Sequence, residues 1–438
     1  MVETEMRLLR YDSYKDSGVE WLGEIPEQWE VKPGFVILSE SRDKNLGFIE
    51  KTVLSLSYGN VIVKPEEKLT GLVPESFETY QLVKPGDIII RPTDLQNDKT
   101  SLRTGLAKNN GIITSAYINL RVKDKYSGSF YHYYMHTIDI NKVIYGLGSG
   151  LRQNISFGDF KRFPFPLPPL KEQTAIAQFL DDKTQKIDQA ITIKEQQINL
   201  LKERKQILIH KAVTRGLNPN VKLKDSGVEW IGEIPGGWEV NKLFGLCDFV
   251  RGNSTFSKDE LLSIGDYVAL QYGKTYKVEE IDEKYNFYVN DEFYKDSQTV
   301  NYGDTVLIST SETIEDLGHS AYYNRGDSGL LGGEQILLNP NKEKINGHYL
   351  YFSSKLFSKQ LRKYATGIKV FRFNINDLKT IYIALPPLSE QKEISEYIEK
   401  ASQKIETAIG LKQQEIEKLK EYKGSLINSC VTGKVKVC

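Results

Sequence analysis

The residues that could perform covalent chemistry do not assemble into a complete catalytic motif. Gly273-Lys274-Thr275 ends like a phosphate-binding loop, but Val268 stands where that motif needs a glycine. His132 and His136 are four residues apart on a predicted helix, yet no acidic or third ligand accompanies them. The Asp181-Asp182 pair lies among lysines, a pattern typical of a solvated helix. No Asn-Pro-Pro-Tyr or Asp-Pro-Pro-Tyr motif, which would indicate an amino-methyltransferase site, is present. We therefore predict no catalytic residues, no metal site and no cofactor.

Polar loops indicate binding instead. The segment 91–105, RPTDLQNDKTSLRTG, is rich in side chains that offer two hydrogen-bonding groups, among them Arg91, Asp94, Gln96, Asn97 and Arg103. Arginine pairs bidentately with guanine, and glutamine or asparagine with adenine, in the major groove of DNA. A weaker counterpart, 309–318 (STSETIEDLG), contains Thr310 and Glu312. An ordinary polar surface loop is the alternative interpretation.

A second pair of loops consists of 148–156 (GSGLRQNIS) and 366–374 (TGIKVFRFN). Their candidate contact residues are Arg152, Gln153, Asn154, Lys369, Arg372 and Asn374. The run 355–372 carries six basic and no acidic residues, which suits a surface that faces phosphates. A solvated helix face explains this run equally well.

The elements that must position these loops occur twice in the chain. Residues 15–31 (KDSGVEWLGEIPEQWEV) and 224–240 (KDSGVEWIGEIPGGWEV) agree at 14 of 17 positions. Residues 167–216 and 385–434 agree at 23 of 50 positions, at an offset of 218. The segments between them, 32–166 and 241–384, share only traces of sequence similarity. A duplicated frame therefore carries two divergent mixed α/β inserts.

The second repeat predicts two long helices. Apolar residues recur every three or four positions from Ile176 to Leu208, and the same pattern returns 218 residues later from Ile394 to Leu426. A helix of about 40 residues with one narrow apolar stripe needs another helix to cover it, and its own copy is the nearest candidate. The alternative is that each stripe packs on its own globular domain. The pair could lie parallel or antiparallel, and a pseudo-twofold relation between the halves requires the antiparallel arrangement.

Bulk composition sets limits on the class of protein. The formal net charge is zero, which weighs mildly against DNA binding, although residues 32–166 carry a net +5 and residues 241–384 a net −2. No apolar run approaches the roughly 18 residues of a membrane span, and the first ten residues lack the apolar core of a signal peptide. Cys247, Cys430 and Cys438 are too scattered for a disulfide framework. We expect a cytoplasmic protein.

The duplicated frame resembles the DNA specificity subunit of type I restriction-modification systems. The resemblance rests on the two copies of KDSGVEW-x-GEIP and on the LPPL-x-EQ segments at 167–173 and 385–391, and it covers the whole chain. It implies two target-recognition domains, each binding half of a bipartite DNA site, and an antiparallel helical pair that sets the unread spacer. It also implies docking of two methyltransferase subunits and of restriction subunits that translocate DNA.

The expected fold is therefore α+β, with two mixed α/β target-recognition domains separated and joined by two helices in an antiparallel coiled coil. We predict a first recognition domain at 1–166, a spacer helix at 167–215, a linker and second recognition domain at 216–384, and a second spacer helix at 385–438. Partner contacts are expected at Glu172, Gln173, Glu390 and Gln391, although helix capping also explains these residues. The rival classes are a coiled-coil protein–protein scaffold and a methyltransferase with an unrecognised site.

Overall fold

The computed structural model describes residues 9–65, 67, 77–96, 98, 102–147 and 154–437. The chain divides into two compact units: unit 1 comprises Met1–Glu195 and Gln413–Cys438, and unit 2 comprises Gln196–Lys412. Unit 1 is therefore built from both ends of the chain. Within the described residues, no helix is both long enough and apolar enough to cross a membrane.

The described strands of unit 1 are short and pair in the antiparallel sense. They are β1 (Tyr14–Asp16), β2 (Glu24–Pro26), β3 (Glu30–Pro33), β4 (Leu38–Glu40), β5 (Leu54–Ser57), β6 (Asn60–Val63), β7 (Gln81–Val83), β8 (Ile88–Ile90), β9 (Thr104–Leu106), β10 (Gly111–Ile113), β11 (Ile118–Val122) and β12 (Pro164–Leu167). The largest sheet has the order β4-β11-β8-β9, all antiparallel. The three isoleucines of β8 are fully buried, as expected for a strand inside a sheet covered on both faces.

The helices of this part are α1 (Gly34–Ile37), α2 (Gly128–Ile140), α3 (Phe157–Arg162) and α4 (Leu170–Arg215), which begins in unit 1 and ends in unit 2. Short 3-10 turns lie at Phe77–Thr79 and Val143–Gly146. Ser127 caps α2 by accepting a hydrogen bond from the Phe130 amide (3.3 Å). Tyr131 and Tyr134 on α2 donate to the backbone carbonyls of β12 and fix the helix against it.

Unit 2 has more strands. They are β13 (Leu223–Asp225), β14 (Glu233–Pro235), β15 (Glu239–Lys242), β16 (Cys247–Arg251), β17 (Tyr267–Leu270), β18 (Glu280–Ile281), β19 (Tyr288–Val289), β20 (Thr299–Val300), β21 (Thr305–Ile308), β22 (Thr310–Ser311), β23 (Ser320–Tyr323), β24 (Gly329–Leu331), β25 (Gln335–Pro340), β26 (Phe371–Arg372) and β27 (Tyr382–Leu385). Two sheets form its body, with orders β16-β25-β21-β23-β18 and β19-β17-β24-β20.

The helices of unit 2 are α5 (Tyr272–Thr275), α6 (Gly347–Leu361), α7 (Ile375–Leu378) and α8 (Leu388–Val431), which begins in unit 2 and ends in unit 1. Its 3-10 turns are Leu243–Gly245, Lys258–Glu260, Asp291–Phe293, Asp296–Gln298 and Arg362–Tyr364. Helices α2 and α6 are each followed by a 3-10 turn, and the side chains of Ser127 and Asn346 cap their starts.

The two long helices follow the Pro-Pro pairs of the LPPL-x-EQ segments. Helix α4 has 46 residues and α8 has 44, and α8 continues through Gly410 and Gly424. Their apolar stripes are buried: Ile176 and Leu180 pack in unit 1 with Leu426 and Ile427, whereas Ile394 and Ile398 pack in unit 2 with Ile209 and Val213. Packing supplies the stability of such helices, so the exposed Gly410 and the half-buried Gly424 are tolerated within α8.

Ion pairs join the two long helices inside each unit. In unit 1, Asp188 of α4 contacts Lys423 of α8 (2.7 Å), and Lys194 of α4 contacts Glu415 of α8 (2.6 Å). The later residue of α4 therefore contacts the earlier residue of α8. In unit 2, Lys205 contacts Glu406 at 2.9 Å. Asp188 and Glu406 are 218 residues apart, as are Lys205 and Lys423.

The first sequence repeat forms the same hairpin in each unit. Lys15 pairs with Ile25 between β1 and β2, and Lys224 pairs with Ile234 between β13 and β14. The tryptophan that ends each motif, Trp29 or Trp238, is buried. Both strands that follow pair with the strand before a long helix, β3 with β12 and β15 with β27. The repeated frame therefore begins and ends each globular part.

Candidate nucleic-acid interface

In unit 1, the structure brings the two predicted loops together. The loop that starts at Arg91 follows β8, and the Ile155 amide donates to the Pro92 carbonyl (2.9 Å). The Asp94 amide donates to the Asn154 side-chain oxygen (3.2 Å). Leu95 is fully buried and anchors the loop in the core. Asn97, Arg152 and Gln153 lie outside the described residues.

Arg103 holds this loop in place from inside. The residue is fully buried, and its guanidinium donates to the carbonyls of Thr93 (2.7 Å), Asp94 (3.1 Å) and Asp98 (2.5 Å). Its Nε also donates to the Tyr145 hydroxyl (3.2 Å). Since an arginine has five N–H groups in a fixed plane, one side chain ties three loop carbonyls and a helix-end tyrosine together. The guanidinium thus faces the protein's own backbone.

Other predicted residues of this loop reach the surface. The Arg91 side chain is 43% exposed and lies 3.5 Å from the Asp98 carboxylate. Gln96 and Asn154 are exposed, and Asp94 has a left-handed backbone with φ of 63°. Together these four residues offer hydrogen-bond donors and acceptors where the two loops meet, and base-edge recognition requires both.

Unit 2 repeats this arrangement with other side chains. The Phe373 amide donates to the Ser309 carbonyl (3.2 Å), as Ile155 does to Pro92 in unit 1. Strand β22 pairs with β26, which places Thr310 opposite Arg372. Thus, in both units the loop after a central strand is fastened to the loop before a short helix.

The side chains of the unit 2 loops have different environments. Thr310 is buried and donates its hydroxyl hydrogen bond to the Glu334 carboxylate, and Arg372 Nε lies 3.9 Å from the same carboxylate. Glu312 and Lys369 are exposed. Asn374 caps α7, because its side-chain oxygen accepts from the Asn376 amide (2.8 Å). Of the five residues predicted here, Glu312, Lys369 and Arg372 therefore present charge to solvent.

Glu334 was not predicted from the sequence. It precedes β25, far from either predicted loop in sequence, and only the sheet brings it beside Thr310 and Arg372. Its φ of 63° is a conformation that a glutamate rarely adopts. The preceding pair Gly332-Gly333 was the available signal, since glycines mark tight turns at functional loops.

The basic run 355–372 divides between interior and surface. Lys355 donates to the Ser320 carbonyl (2.8 Å) and lies near Glu279, and burial lowers the pKa of its amine to about 8. Arg362 donates to the Glu315 carbonyl. Lys359 and Lys363 are exposed. The run is therefore not one continuous phosphate-facing surface.

The residues predicted to contact partners connect each long helix to its globular part. Glu172 accepts from the Tyr11 hydroxyl, and Glu390 accepts from the Trp238 indole N–H (2.9 Å). Gln173 and Gln391 are buried. Each accepts a hydrogen bond from the first residues of a capped helix, Gln173 from the Ser127 amide (2.9 Å) and Gln391 from the Asn346 amide (2.7 Å). These glutamines stabilise the junction between helix and domain.

The histidine pair of α2 is half-buried. His132 and His136 stack at 6.2 Å, and burial lowers their pKa values to about 3 and about 4. Across the part of the chain that the structure describes, no group of three or more His, Cys, Asp or Glu side chains is arranged to hold a metal ion.

Comparison with known proteins identifies the family. The model of the type I restriction modification DNA specificity domain matches residues 49–203 and 235–420, well over half of the chain. A Methanocaldococcus jannaschii protein provisionally named as the type I restriction enzyme MjaX specificity subunit is 26% identical over 440 residues, covering 95% of this chain and 96% of that protein. The MjaVIII specificity subunit of the same organism is 27% identical over 339 residues, 75% of each protein.

Solved structures share the fold. A chain from a structural study of complex assembly in the type I R-M system superposes with a TM-score of 0.69 at 13% identity, covering 93% of this chain and 98% of that one. The HsdS subunit from Thermoanaerobacter tengcongensis gives a TM-score of 0.50 at 14% identity, covering 94% and 98%. Because the family model matches most of a chain that also shares this fold, the protein belongs to the type I restriction-modification DNA specificity family.

Proposed function

We propose that this chain is the DNA-reading subunit of a type I restriction-modification complex and that each unit binds one half of a bipartite target. The single observation that carries this proposal is the pair of fastened loops, built in the same way in both units but from different side chains. A common frame with exchangeable polar loops suits two readers of the same kind with different targets.

Within each reader we assign two kinds of residue. Arg91, Asp94, Gln96 and Asn154 of unit 1 are assigned to DNA contact, because they lie at the surface of the fastened loops; Asn97, Arg152 and Gln153 are proposed on sequence grounds. In unit 2 the proposed contacts are Glu312, Lys369 and Arg372. Arg103, Thr310 and Asn374 are assigned to positioning, since each is hydrogen-bonded to its own loop or helix end.

We further propose that α4 and α8 form an antiparallel coiled coil related by a pseudo-twofold axis and that this pair sets the unread spacer of the target. Support comes from the ion pairs Lys423–Asp188 in unit 1 and Lys205–Glu406 in unit 2. Adding 218 to Asp188 and Lys205 reproduces the opposite pair, which is what a twofold axis across two antiparallel copies requires.

The chain is proposed to act without catalysis of its own, in the cytoplasm, by holding two methyltransferase subunits and restriction–translocase subunits on the target. The relatives are named as specificity subunits, and one fold neighbour comes from a type I assembly. Surface parts of the helix starts, around Glu172 and Glu390, are the proposed docking region. The buried Gln173 and Gln391 would support that region from beneath.

The decisive experiment is methylome sequencing of cells that express the chain with its cognate methyltransferase subunit, compared with cells that express the methyltransferase alone. We expect a bipartite methylated motif that depends on the chain. Exchange of residues 32–166 for those of a relative should change only one half of this motif. Methylation that is unaffected by removing the chain would refute DNA reading and favour a protein–protein scaffold.

A further inference from the structure

Glu334 lies at the candidate interface with an unfavourable backbone conformation, and its carboxylate is in contact with Thr310 and Arg372. Glutamate gains nothing from a φ of 63°, whereas glycine or asparagine adopts this region readily. The chain uses glycine at the two positions just before it. Strain of this kind persists where the surroundings impose it and is concentrated at functional sites.

The position of Glu334 is tightly determined. Its backbone carbonyl accepts from the Ser309 amide (3.1 Å), which joins it to the first predicted loop of unit 2. Thr310 donates to carboxylate oxygen Oε2, and Arg372 Nε lies 3.9 Å from that same oxygen. Among the described residues, Oε1 has no hydrogen-bond donor, and the side chain is 46% exposed. One carboxylate oxygen is thus anchored, and the other is open to an incoming donor.

We propose that Glu334 is a base-reading residue of unit 2, whose carboxylate accepts a hydrogen bond from the exocyclic amino group of a cytosine in the major groove. This inference rests on the DNA-reading function proposed above. Carboxylates are suited to accept from cytosine N4, whereas adenine presents its amino donor beside the N7 acceptor, a pattern that an amide side chain matches better. Guanine and thymine would place an acceptor against the carboxylate.

Charge explains why a carboxylate is tolerated close to DNA. The Arg372 side chain is 59% exposed and lies 3.9 Å from the Glu334 carboxylate. Its positive charge offsets the repulsion between that carboxylate and nearby phosphates. A base without a donor would leave carboxylate oxygen Oε1 desolvated and without a hydrogen bond, which is costly. Discrimination against such a base should be on the order of ten- to a hundredfold, the range for one good base contact.

The test compares the methylomes of wild type, Glu334→Gln and Glu334→Asn, each expressed with the cognate methyltransferase subunit. The half-site of unit 2 is the half that is unchanged when residues 32–166 are exchanged. In both variants, one position of that half should lose its requirement for cytosine by about tenfold or more, because an amide also offers a donor and pairs with adenine. The half-site of unit 1 is the internal control.

Two further variants and one stability measurement complete the design. Asparagine suits the left-handed backbone, so Glu334→Asn should unfold at or above the wild-type temperature. Glu343→Gln removes an exposed carboxylate from another turn of unit 2 and should leave the motif unchanged. An unaltered motif in both Glu334 variants would overturn the inference, as would loss of folding in both, since the carboxylate would then serve the fold. If the wild-type chain itself produced no motif, the proposed function would fail instead.

Discussion

Substitution of Arg103 and of Arg91 tests whether the first loop uses one arginine to position its backbone and the other to contact DNA. Both arginines lie at the ends of the same loop. Arg103 is fully buried and donates to three loop carbonyls and to Tyr145, all within 3.2 Å. Arg91 is 43% exposed, and among the described residues it has one ion pair, at 3.5 Å.

These contacts give different stability costs. A hydrogen bond from a charged donor contributes about 1.5 to 3 kcal/mol net, but the loop carbonyls can regain water when Arg103 is removed. We therefore expect Arg103→Met to lower the free energy of unfolding of unit 1 by about 3 to 4 kcal/mol. Arg91→Met removes only an exposed pair and should cost less than about 1 kcal/mol.

Hydrogen exchange of residues 91–106, combined with denaturant unfolding of the full chain, measures both effects. Arg103→Met should raise exchange throughout the loop, whereas Arg91→Met should leave exchange near the wild-type level. In methylome sequencing, Arg91→Met should relax one position of the unit 1 half-site. Equal stability losses in the two variants would refute the division into a positioning and a contact residue.

Three further predictions concern helix α2 and the two long helices. Because burial depresses the pKa values of His132 and His136 to about 3 and 4, the unfolded chain takes up protons first as the pH falls below about 6.5. Stability should decline by about 2 kcal/mol per histidine between pH 8 and pH 5, and a double leucine variant should flatten the change in urea midpoint. Lys205→Met removes hydrogen bonds to two glutamates and should lower the free energy of unfolding, measured by calorimetry, by about 1 to 2 kcal/mol. The control Lys400→Met removes an exposed lysine, and its free energy of unfolding should stay within about 0.5 kcal/mol of the wild-type value. Gln391→Leu should destabilise unit 2 by about 2 kcal/mol, but the folded variant should still bind the methyltransferase in a pull-down. Loss of this binding without any loss of stability would contradict the positioning role.

The long helices show how much local pattern can predict. The apolar stripe from Ile176 to Leu208 and its copy identified α4 and α8 and placed both starts within a few residues. The C-terminal end of α8 was less predictable, because Gly424 resembles a stop signal in sequence. In the folded chain, Leu426 and Ile427 are buried beyond it, and this packing outweighs the low helix propensity of glycine.

The candidate interface was only partly predictable. Polar loops can be recognised by residue type, and the four loop segments do come together in pairs. Residue type does not say which polar groups are satisfied internally. Arg103 and Gln391 look like contact residues in sequence, but both are buried and bonded to the chain's own backbone.

The sequence by itself determined the duplicated frame, the two long helices, the divergence of the inserts and the family, because these depend on repeats and periodicities that are local along the chain. Tertiary structure alone decided which loops meet, which arginine turns inward and that Glu334 lies beside Thr310 and Arg372. Those outcomes depend on strand pairing between residues distant in sequence, and such pairing determines which polar groups are buried and which remain exposed to a ligand.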